Sequence, residues 1–329
     1  MILITGGTGF VGKHLQEELV LRGVEHHVFS AKDCDLTIPD QARAVFADHR
    51  KASTIIHMAS YQAAGEFPAR HPAEQFYLNN LIHVNVLENW RKFTPHAKLV
   101  AIGSSCAYPS KPGPLTEDRF MDGEIHGSVY SYAFTKRLLY TGITAYNDQF
   151  ELNGSYLIPS TMYGEYDDFN GETAHVCGAL VGRFVTAVKE NLPVVEIWGD
   201  GTQVRDFMYV KEFIRALLNL IPQCERDIIN VGPGRGITIR ELALAIAQAA
   251  GYRGEVIFNA SRYVGVKEKF IDTSRFVEKY HGVVGDSLYP GVQQTVDWYA
   301  SNYERVKNRR KFQSDVSHSQ TELVANTAL

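Results

Sequence analysis

The sequence predicts an α/β protein with a doubly wound parallel sheet followed by a smaller C-terminal α/β lobe. The first observation is that short apolar runs alternate with segments of helical period along the first 160 residues. The second is a glycine-rich turn between the first apolar run and the first helix. With 329 residues, the chain is long enough for one large domain or two smaller ones.

The order of the predicted elements is that of successive βαβ units. Strands are predicted at residues 1–5, 26–30, 54–58, 98–103 and 155–159, and helices at 13–22, 76–93 and 129–150. Residues 1–160 therefore form the parallel sheet and its flanking helices. Residues 161–305 form the lobe, partly woven back into the sheet, and 306–329 a polar tail. In this second half, helices are predicted at 178–190, 210–220, 239–250 and 290–302, and strands at 194–198 and 228–231.

Composition excludes several classes of protein. Hydrophobic residues make up 45% of the chain and charged residues 21%, and the net charge is -4. These values are typical of a soluble globular protein and argue against a nucleic-acid partner. No apolar run approaches the roughly 18 residues of a membrane span, and the N-terminus lacks the basic region of a signal peptide.

The four cysteines have neither paired nor metal-type spacing. We therefore expect a cytoplasmic protein with free thiols and no metal. Cys34, Cys177 and Cys224 are interpreted as packing residues.

The glycine-rich turn is the first candidate site. Its glycines are Gly6, Gly9 and Gly12, within the segment Gly-Gly-Thr-Gly-Phe-Val-Gly. Glycines let the backbone approach a pyrophosphate, and the helix N-terminus offers unpaired N–H groups. The turn therefore predicts a Rossmann-type dinucleotide site, which also includes Thr8, Phe10 and Val11.

The second candidate site is a tyrosine and a lysine on one helix. Tyr132 and Lys136 are four residues apart, so they share a helix face. The lysine charge is expected to lower the pKa of the phenol, which makes it an acid or base for a carbonyl/alcohol pair. Ser104 or Ser105, after the strand at 98–103, is expected to supply a second hydrogen bond to the substrate oxygen. By themselves, a core tyrosine and a surface lysine would give the same pattern.

Together, these motifs resemble those of extended short-chain dehydrogenases/reductases from Gly6 to about residue 300. The resemblance implies a catalytic triad of Ser104, Tyr132 and Lys136, with Ser104 preferred over Ser105 because it stands four residues before Tyr108. Lys136 would also bond the nicotinamide ribose. Further cofactor contacts are implied by the segments that follow the other strands: Asp35 and Leu36 beside the adenine, Ala59, Asn79 and Pro159.

Within that group, the chain is most similar to the GDP-L-fucose synthases. Cys106, two residues after the triad serine, and His175 carry this resemblance, together with the segment 198–207 and Lys269. It implies that Cys106 is a base and His175 an acid beside the sugar ketone, since both groups can titrate near neutral pH. The alternative interpretation is packing for Cys106 and an incidental loop position for His175.

The same resemblance implies how the nucleotide sugar is held. Arg183, Arg205 and Lys269 would contact the diphosphate and the sugar. Trp198 is the other candidate on the substrate side, although we expect it to pack against the lobe. Where those synthases have asparagine near the sugar, this chain has Thr161, so a related deoxy sugar or heptose on GDP or another nucleotide stays open.

The end of the second predicted strand bears on the choice of cofactor. No Asp or Glu stands there to bond a free ribose 2′-hydroxyl, whereas Ser30 and Lys32 could hold a 2′-phosphate. NADP(H) is therefore favoured and NAD(H) possible, with Asp33 as a complication.

Three functions remain open from the sequence. The first is an NADPH-dependent epimerase and 4-reductase of a GDP-linked 4-keto-6-deoxy sugar. The second is a plain 4-ketoreductase or 4-epimerase that needs no Cys/His pair. The third is a binding protein on the same scaffold, which the presence of both Tyr132 and Lys136 disfavours. The resemblance also implies a homodimer built on helices that flank the sheet.

Overall fold

The structure is a computed structural model that describes residues 1–65, 67–110, 115–262, 266–285 and 288–306. Except for Val306, the predicted polar tail lies outside the described residues. The strands are β1 (Ile2–Thr5), β2 (His26–Val28), β3 (Thr54–His57), β4 (Lys98–Ile102), β5 (Gly154–Pro159), β6 (Thr161–Tyr163), β7 (Val194–Trp198), β8 (Val204–Arg205), β9 (Phe207–Tyr209), β10 (Ile228–Val231), β11 (Ile237–Thr238), β12 (Glu255–Asn259) and β13 (Glu268–Lys269). The helices are α1 (Phe10–Leu21), α2 (Pro39–Asp48), α3 (Phe67–Arg70), α4 (Pro72–Phe93), α5 (Tyr130–Phe150), α6 (Val176–Lys189), α7 (Val210–Leu220), α8 (Ile239–Ala249), α9 (Ser274–Tyr280) and α10 (Leu288–Ser301).

Six strands form the main sheet, in the order β10-β5-β4-β3-β1-β2. All neighbouring pairs are parallel. The prediction of a Rossmann-type parallel sheet is confirmed. Strand β1 lies between β2 and β3, so the chain crosses over from β1 in opposite directions. This point is the topological switch point of the sheet. The crevice there lies at the carboxyl ends of the strands.

Both faces of the sheet are buried, which explains the continuous apolar runs in its strands. Successive side chains of a strand point to opposite faces. Accordingly, Ile55 belongs to the core cluster that contains Trp90 of α4. Ile56 belongs to another cluster, with Leu15 of α1 and Phe213 of α7. Helices therefore cover the sheet on both sides and leave its carboxyl edge for a site.

The second half of the chain has its own core. Side chains of α6, α8 and α10 pack there with residues of β6, β7 and β9. Strand β10 nevertheless pairs with β5 and completes the main sheet. Most predicted elements agree with the observed ones to within a few residues. The elements that were not predicted are α2, α3, α9, β6, β8, β9, β11, β12 and β13. Among the described residues, no helix is long and apolar enough to cross a membrane.

Candidate active site

The glycine-rich turn packs tightly against the segment that follows β3. Gly6 has a φ of 71°, in the left-handed region that favours glycine. A Cβ atom on Gly6 would lie 2.6 Å from the backbone nitrogen of Ala59. One on Gly12 would lie 2.2 Å from the carbonyl oxygen of Gly7. Side chains at these two positions would displace backbone, so the turn requires glycine at both.

The N-terminus of α1 faces the same crevice. The helix begins at Phe10 after Gly9, and no side chain caps its first N–H groups. Thr8 and Gly9 are exposed, and Phe10 and Val11 are half-buried. Free N–H groups at a helix N-terminus bind anions well. The residues present therefore fit the pyrophosphate of a dinucleotide.

The segment after β2 is organised by Asp33. Its carboxylate accepts hydrogen bonds from the backbone nitrogen of Ser30 at 3.0 Å and from the Ser30 hydroxyl at 2.6 Å. The backbone nitrogen of Lys32 donates to the same hydroxyl at 3.2 Å. These bonds lower the pKa of Asp33. The predicted 2′-phosphate site thus contains the cation Lys32 and also the carboxylate of Asp33, which is hydrogen bonded to Ser30.

Asp35 and Leu36 shape the next turn. Asp35 accepts from the backbone nitrogen and the hydroxyl of Thr37, at 2.9 and 2.7 Å. Leu36 is buried, and its carbonyl oxygen accepts from the side chain of Asn85 at 2.8 Å. This turn is fixed by contacts within the protein beside the crevice, where the sequence predicts the adenine.

Asn79 of α4 holds the segment after β3 in place. Its Oδ1 accepts from the hydroxyl of Ser60 at 3.0 Å and from the backbone nitrogen of Tyr61 at 2.8 Å. Its amide nitrogen donates to the carbonyl oxygens of Tyr61 and Gln75, at 3.0 and 2.8 Å. A side-chain amide has two donors and two acceptor sites, and all are used. Asn79 therefore affects the cofactor region through residues 59–61. Ala59 and Pro159, also predicted cofactor residues, stand at the carboxyl ends of β3 and β5.

Ser104, Tyr132 and Lys136 meet at the carboxyl end of β4. The hydroxyls of Ser104 and Ser60 lie close enough to the phenol of Tyr132 to lower its pKa. The Lys136 ammonium donates to the carbonyl oxygen of Ile102 at 3.0 Å and lies 5.8 Å from the centre of the Tyr132 ring. Two serines from different strand ends thus converge on one phenol, with a lysine behind it.

The pKa of the Tyr132 phenol differs from the one expected from the sequence. Burial raises the pKa of the Tyr132 phenol, and the sulfur of Cys106 raises it further, whereas the neighbouring hydroxyls of Ser104 and Ser60 lower it. Lys136 is not among the groups that lower it. Burial also lowers the pKa of Lys136 to about 8. The expectation of a lowered phenol pKa was wrong for the protein alone, because desolvation outweighs the nearby charge.

Cys106 and His175 share a cationic neighbour. Cys106 lies in the 3₁₀ turn Ser105–Ala107, directly after Ser104, and its Sγ is 3.7 Å from Nζ of Lys269. His175 stands at the N-cap position of α6, makes no side-chain capping bond and is exposed. Desolvation and the charge of Lys269 lower the pKa of His175, and Asp168 opposes this. Lys269 therefore acts on both predicted proton-transfer groups.

The two predicted substrate arginines are engaged with backbone carbonyl groups. Arg183 donates to the carbonyl oxygen of Glu196. Arg205 donates to the carbonyl oxygens of Val204 and Val266, both at 2.7 Å. Each guanidinium carries five N–H donors, so these bonds orient it without using all its capacity. Their predicted contact with the diphosphate stays a prediction.

Trp198, which was expected to pack against the lobe, is partly covered by it. Its side chain is 53% exposed at the end of β7, with the Arg262 guanidinium 5.5 Å from its ring. The three cysteines interpreted as packing residues, Cys34, Cys177 and Cys224, are buried. Within the described residues, no three His, Cys, Asp or Glu side chains are grouped to hold a metal.

The sequence-based interpretation missed two site residues. Ser60 contacts Tyr132 and Asn79, and its position after β3 was the available signal. Asp206 is buried and accepts from the hydroxyl of Ser160 at 2.8 Å and from the backbone nitrogen of Ile271 at 3.1 Å. It thereby ties the segment that carries Lys269 to the end of β5.

Comparisons with known proteins identify the family of this chain. The model of the NAD dependent epimerase/dehydratase family matches residues 2–232. The GDP-L-fucose synthase of Escherichia coli (strain K12) is 31% identical over 93% of this chain and 98% of its own. The GDP-L-colitose synthase of Yersinia pseudotuberculosis is 32% identical over 84% of this chain and 91% of its own. A solved GDP-L-fucose synthetase from Naegleria fowleri bound to NADP superposes with a TM-score of 0.84 at 25% identity, covering 92% of this chain and 93% of that one. This chain, with its glycine turn and its Ser-Tyr-Lys cluster at the carboxyl ends of a parallel sheet, therefore belongs to the NAD dependent epimerase/dehydratase family.

Proposed function

We propose that this chain is an NADP-dependent epimerase and 4-reductase of a GDP-linked 4-keto-6-deoxy sugar. The observation that carries the proposal is that Cys106 interacts both with the Tyr132 group and with the Lys269 group. Cys106 interacts electrostatically with the phenol of Tyr132 and contacts Lys269, whose charge also reaches His175. Proton-transfer groups for inversion thus adjoin the group that serves reduction. The names of the Escherichia coli and Yersinia relatives support a GDP-sugar substrate.

In the inversion step, one proton leaves the carbon beside the ketone on one face, and another is added on the opposite face. The Cys106 thiolate takes the proton from the carbon beside the ketone, so that a C–H bond breaks and an S–H bond forms. The electron pair moves into an enolate whose oxygen is held by Tyr132 and Ser104. His175 then returns a proton to the opposite face of that carbon. The ammonium of Lys269 stabilises the thiolate that begins this sequence.

The reduction step uses the same ketone oxygen. NADPH supplies a hydride to the carbonyl carbon when it is bound. Tyr132 donates its phenol proton to the oxygen, while Ser104 holds that oxygen in place. The Lys136 ammonium lies 5.8 Å from the centre of the Tyr132 ring, and its proposed role is to bond the nicotinamide ribose.

Several features support NADP(H) as the cofactor. The turn at Gly6 and the uncapped N-terminus of α1 fit a pyrophosphate. Lys32 and Ser30 follow β2, where a 2′-phosphate would lie. The Naegleria fowleri relative was solved with NADP. NAD(H) remains the second choice, since Asp33 stands in the same turn.

We infer a homodimer that pairs α4 and α5 with the same helices of a second copy. Both helices expose large apolar side chains, which singly are ordinary but together form a candidate interface. The exposed residues are Phe76, Tyr77 and Val84 on α4, and Tyr130 and Phe134 on α5. Light scattering should report twice the chain mass, and Tyr77→Glu should yield monomers.

We propose a cytoplasmic location, with no nucleic acid or membrane as partner. All four cysteines are free, as is usual in a reducing compartment. The net charge of -4 gives no attraction to a polyanion.

The direct test is incubation of the protein with GDP-4-keto-6-deoxymannose and NADPH. We expect NADPH to be consumed and a GDP-6-deoxy sugar to form with inverted centres beside the former ketone. Tyr132→Phe should lower kcat by about 100-fold or more, because it lacks the proton donor. The absence of NADPH consumption with any 4-keto nucleotide sugar would overturn the proposal.

A further inference from the structure

Arg137 is a buried cation on α5 that neither the sequence motifs nor the proposed mechanism uses. It follows Lys136 directly in the chain, and only 8% of it is exposed. Its Nε donates to the carbonyl oxygen of Ala107 at 2.8 Å, and its two terminal nitrogens donate to those of Gly123 and Asp122, at 2.9 and 2.6 Å. Burial of a charged group is costly unless its donors are paired, so these three bonds are needed to keep Arg137 inside the protein.

The bond to Ala107 fixes the turn that carries Cys106. Ala107 is the last residue of that 3₁₀ turn, and its backbone nitrogen donates to the carbonyl oxygen of Ser104 at 3.1 Å. The backbone nitrogen of Cys106 donates to the hydroxyl of Ser104 at 3.2 Å. Residues 104–107 therefore form one hydrogen-bonded unit, and a bond that holds its last carbonyl group also restrains Cys106.

Through Arg137, this unit is attached to the helix that carries Tyr132. The three carbonyl oxygens come from two places in the chain, Ala107 and residues 122–123. The N–H donors of a guanidinium form a planar, rigid fork, so a set of acceptors from different segments fixes its orientation. Arg137 therefore restrains the turn relative to α5, and with it the position of Cys106 relative to Tyr132.

Lys269 approaches the same turn from the lobe. Its Nζ lies 3.7 Å from Sγ of Cys106, and it belongs to the small sheet β11-β8-β13 rather than to the main sheet. This contact therefore depends on where residues 104–107 place the sulfur. Arg137 fixes the backbone of the turn from α5, whereas Lys269 brings a charge to the side chain of Cys106 from the lobe.

We propose that Arg137 is a positioning residue, which holds the Cys106 turn on α5 so that the sulfur meets both Lys269 and the carbon that loses its proton. This inference rests on the proposed inversion. The three bonds of Arg137 go to backbone carbonyl oxygens, so Arg137 orients a reacting group and takes up no proton itself.

The first test follows the exchange of solvent deuterium into the sugar in two variants of the full-length chain. Misplacement of a reacting group by a small distance can cost up to about 100-fold in rate, so Arg137→Met should lower exchange about 10- to 100-fold. Reduction of a 4-keto sugar that needs no inversion should fall less than exchange does. Arg137→Lys should lower exchange by a smaller factor, because an ammonium can replace some of the bonds but not the planar fork.

The matched control is Arg226→Met. Arg226 also donates from Nε to a backbone carbonyl oxygen, that of Leu152 at 2.7 Å, but Leu152 precedes β5, at the end of the sheet opposite to the crevice. Arg226→Met should leave exchange unchanged. Wild-type exchange in Arg137→Lys would overturn the positioning role, whether or not Arg137→Met folds. An equal fall in exchange and reduction would overturn it as well, since Arg137 would then support the fold alone.

The second test needs no turnover, so it separates this inference from the proposed function. Iodoacetamide alkylates accessible thiols, and Cys106 is half-buried whereas the other three cysteines are buried. Mass spectrometry of the Cys106 peptide gives the rate of its alkylation without substrate. Lys269→Met should lower this rate about 2- to 5-fold, the range of exposed ion-pair energies, because a nearby ammonium favours the reactive thiolate.

The effect of Lys269→Met on alkylation should be smaller when Arg137→Lys is also present. The displaced sulfur no longer lies beside the ammonium, so the two substitutions are not additive. The same factor in both backgrounds would overturn the proposal, even if the wild-type enzyme inverts and reduces its substrate. Inactive wild-type protein in which Arg137→Lys diminishes the factor would count against the proposed reaction alone.

Discussion

The ammonium of Lys269 lies 3.7 Å from the sulfur of Cys106, although the two residues are 163 positions apart in the chain. Lys269 ends β13, which pairs with β8 beside the crevice, and Cys106 follows β4 of the main sheet. The lobe thus places a cation beside a cysteine of the dinucleotide-binding half. In the proposed reaction, this contact would give Lys269 a role in proton removal that is distinct from binding a diphosphate.

Lys269→Met should slow proton removal more than reduction. The thiolate loses a charged hydrogen-bond partner, so we expect the exchange of solvent deuterium into the sugar to fall about 10- to 100-fold. Lys269→Arg should retain part of the rate because the positive charge remains. Mass spectrometry of the product in deuterium oxide measures the exchange.

The matched control is Lys267→Met, since Lys267 is exposed two residues earlier. It should leave exchange unchanged. If Lys269→Met instead raises KM for the nucleotide sugar at constant kcat, Lys269 serves ground-state binding alone and the thiolate argument fails.

Cys106→Ser should separate inversion from reduction. A serine hydroxyl is a far weaker base than a thiolate, so deuterium should enter the carbons beside the ketone at least about 100-fold more slowly. Reduction of a 4-keto sugar that needs no inversion should continue, because Tyr132 and Ser104 are intact. Cys224→Ser, in the core beneath α7, serves as the control. Exchange at the wild-type rate in Cys106→Ser would leave only a plain 4-ketoreductase or 4-epimerase.

Asp33 should weaken the preference for NADPH over NADH. Its carboxylate holds Ser30 and brings a negative charge near the predicted 2′-phosphate. Asp33→Asn should lower KM for NADPH by about 2- to 5-fold, the range of exposed ion-pair energies, and leave KM for NADH unchanged. Lys32→Ala should raise KM for NADPH by a similar factor, and this difference should shrink at high salt.

Lys51→Ala provides a comparison, because Lys51 is exposed at the amino end of β3. It should affect neither cofactor. Equal changes for NADPH and NADH in Asp33→Asn would show that this turn does not distinguish the 2′ position.

The strands and helices of the main sheet could be predicted from the sequence because their signals are local. The apolar run at 54–58 became β3, and the periodic run at 129–150 became α5. The two-residue strands β8, β11 and β13 have no such signal, since each exists only through pairing with a distant segment. Lys269 was predicted as a substrate contact. Its contact with Cys106 could not be predicted, because the position of Lys269 depends on the pairing of β13 with β8.

In the site, motifs allowed the positions of residues to be predicted, whereas their surroundings could not be predicted. The positions of Tyr132 and Ser104 could be predicted because their spacing is characteristic. Ser60 was missed, since its contact with Tyr132 depends on the crossing of β3, β4 and α5 rather than on a pattern. The predicted direction of the Tyr132 pKa shift was wrong. A sequence can indicate a charged neighbour, but it does not show the burial of the phenol.

Two buried histidines should make the folded state sensitive to acid. The rings of His57 and His83 are fully buried and share a hydrogen bond of 2.9 Å, and the hydroxyl of Thr5 bonds His57 at 2.7 Å. Burial and the charge of Lys136 lower the pKa of His57 to about 3 and that of His83 well below its usual 6.5. Both rings are therefore neutral in the folded protein and take up protons on unfolding below pH 6.5.

The free energy of unfolding should accordingly be highest above pH 6.5 and decrease as the pH falls towards 3. Each ring contributes a loss of about 2 kcal/mol between pH 7 and pH 5. Urea denaturation at several pH values measures this slope, and His83→Phe should reduce it by about one proton. His96→Gln is the control, because an exposed ring keeps its hydration on unfolding. An unchanged slope in His83→Phe would mean that His83 is already protonated in the folded protein, contrary to its buried position.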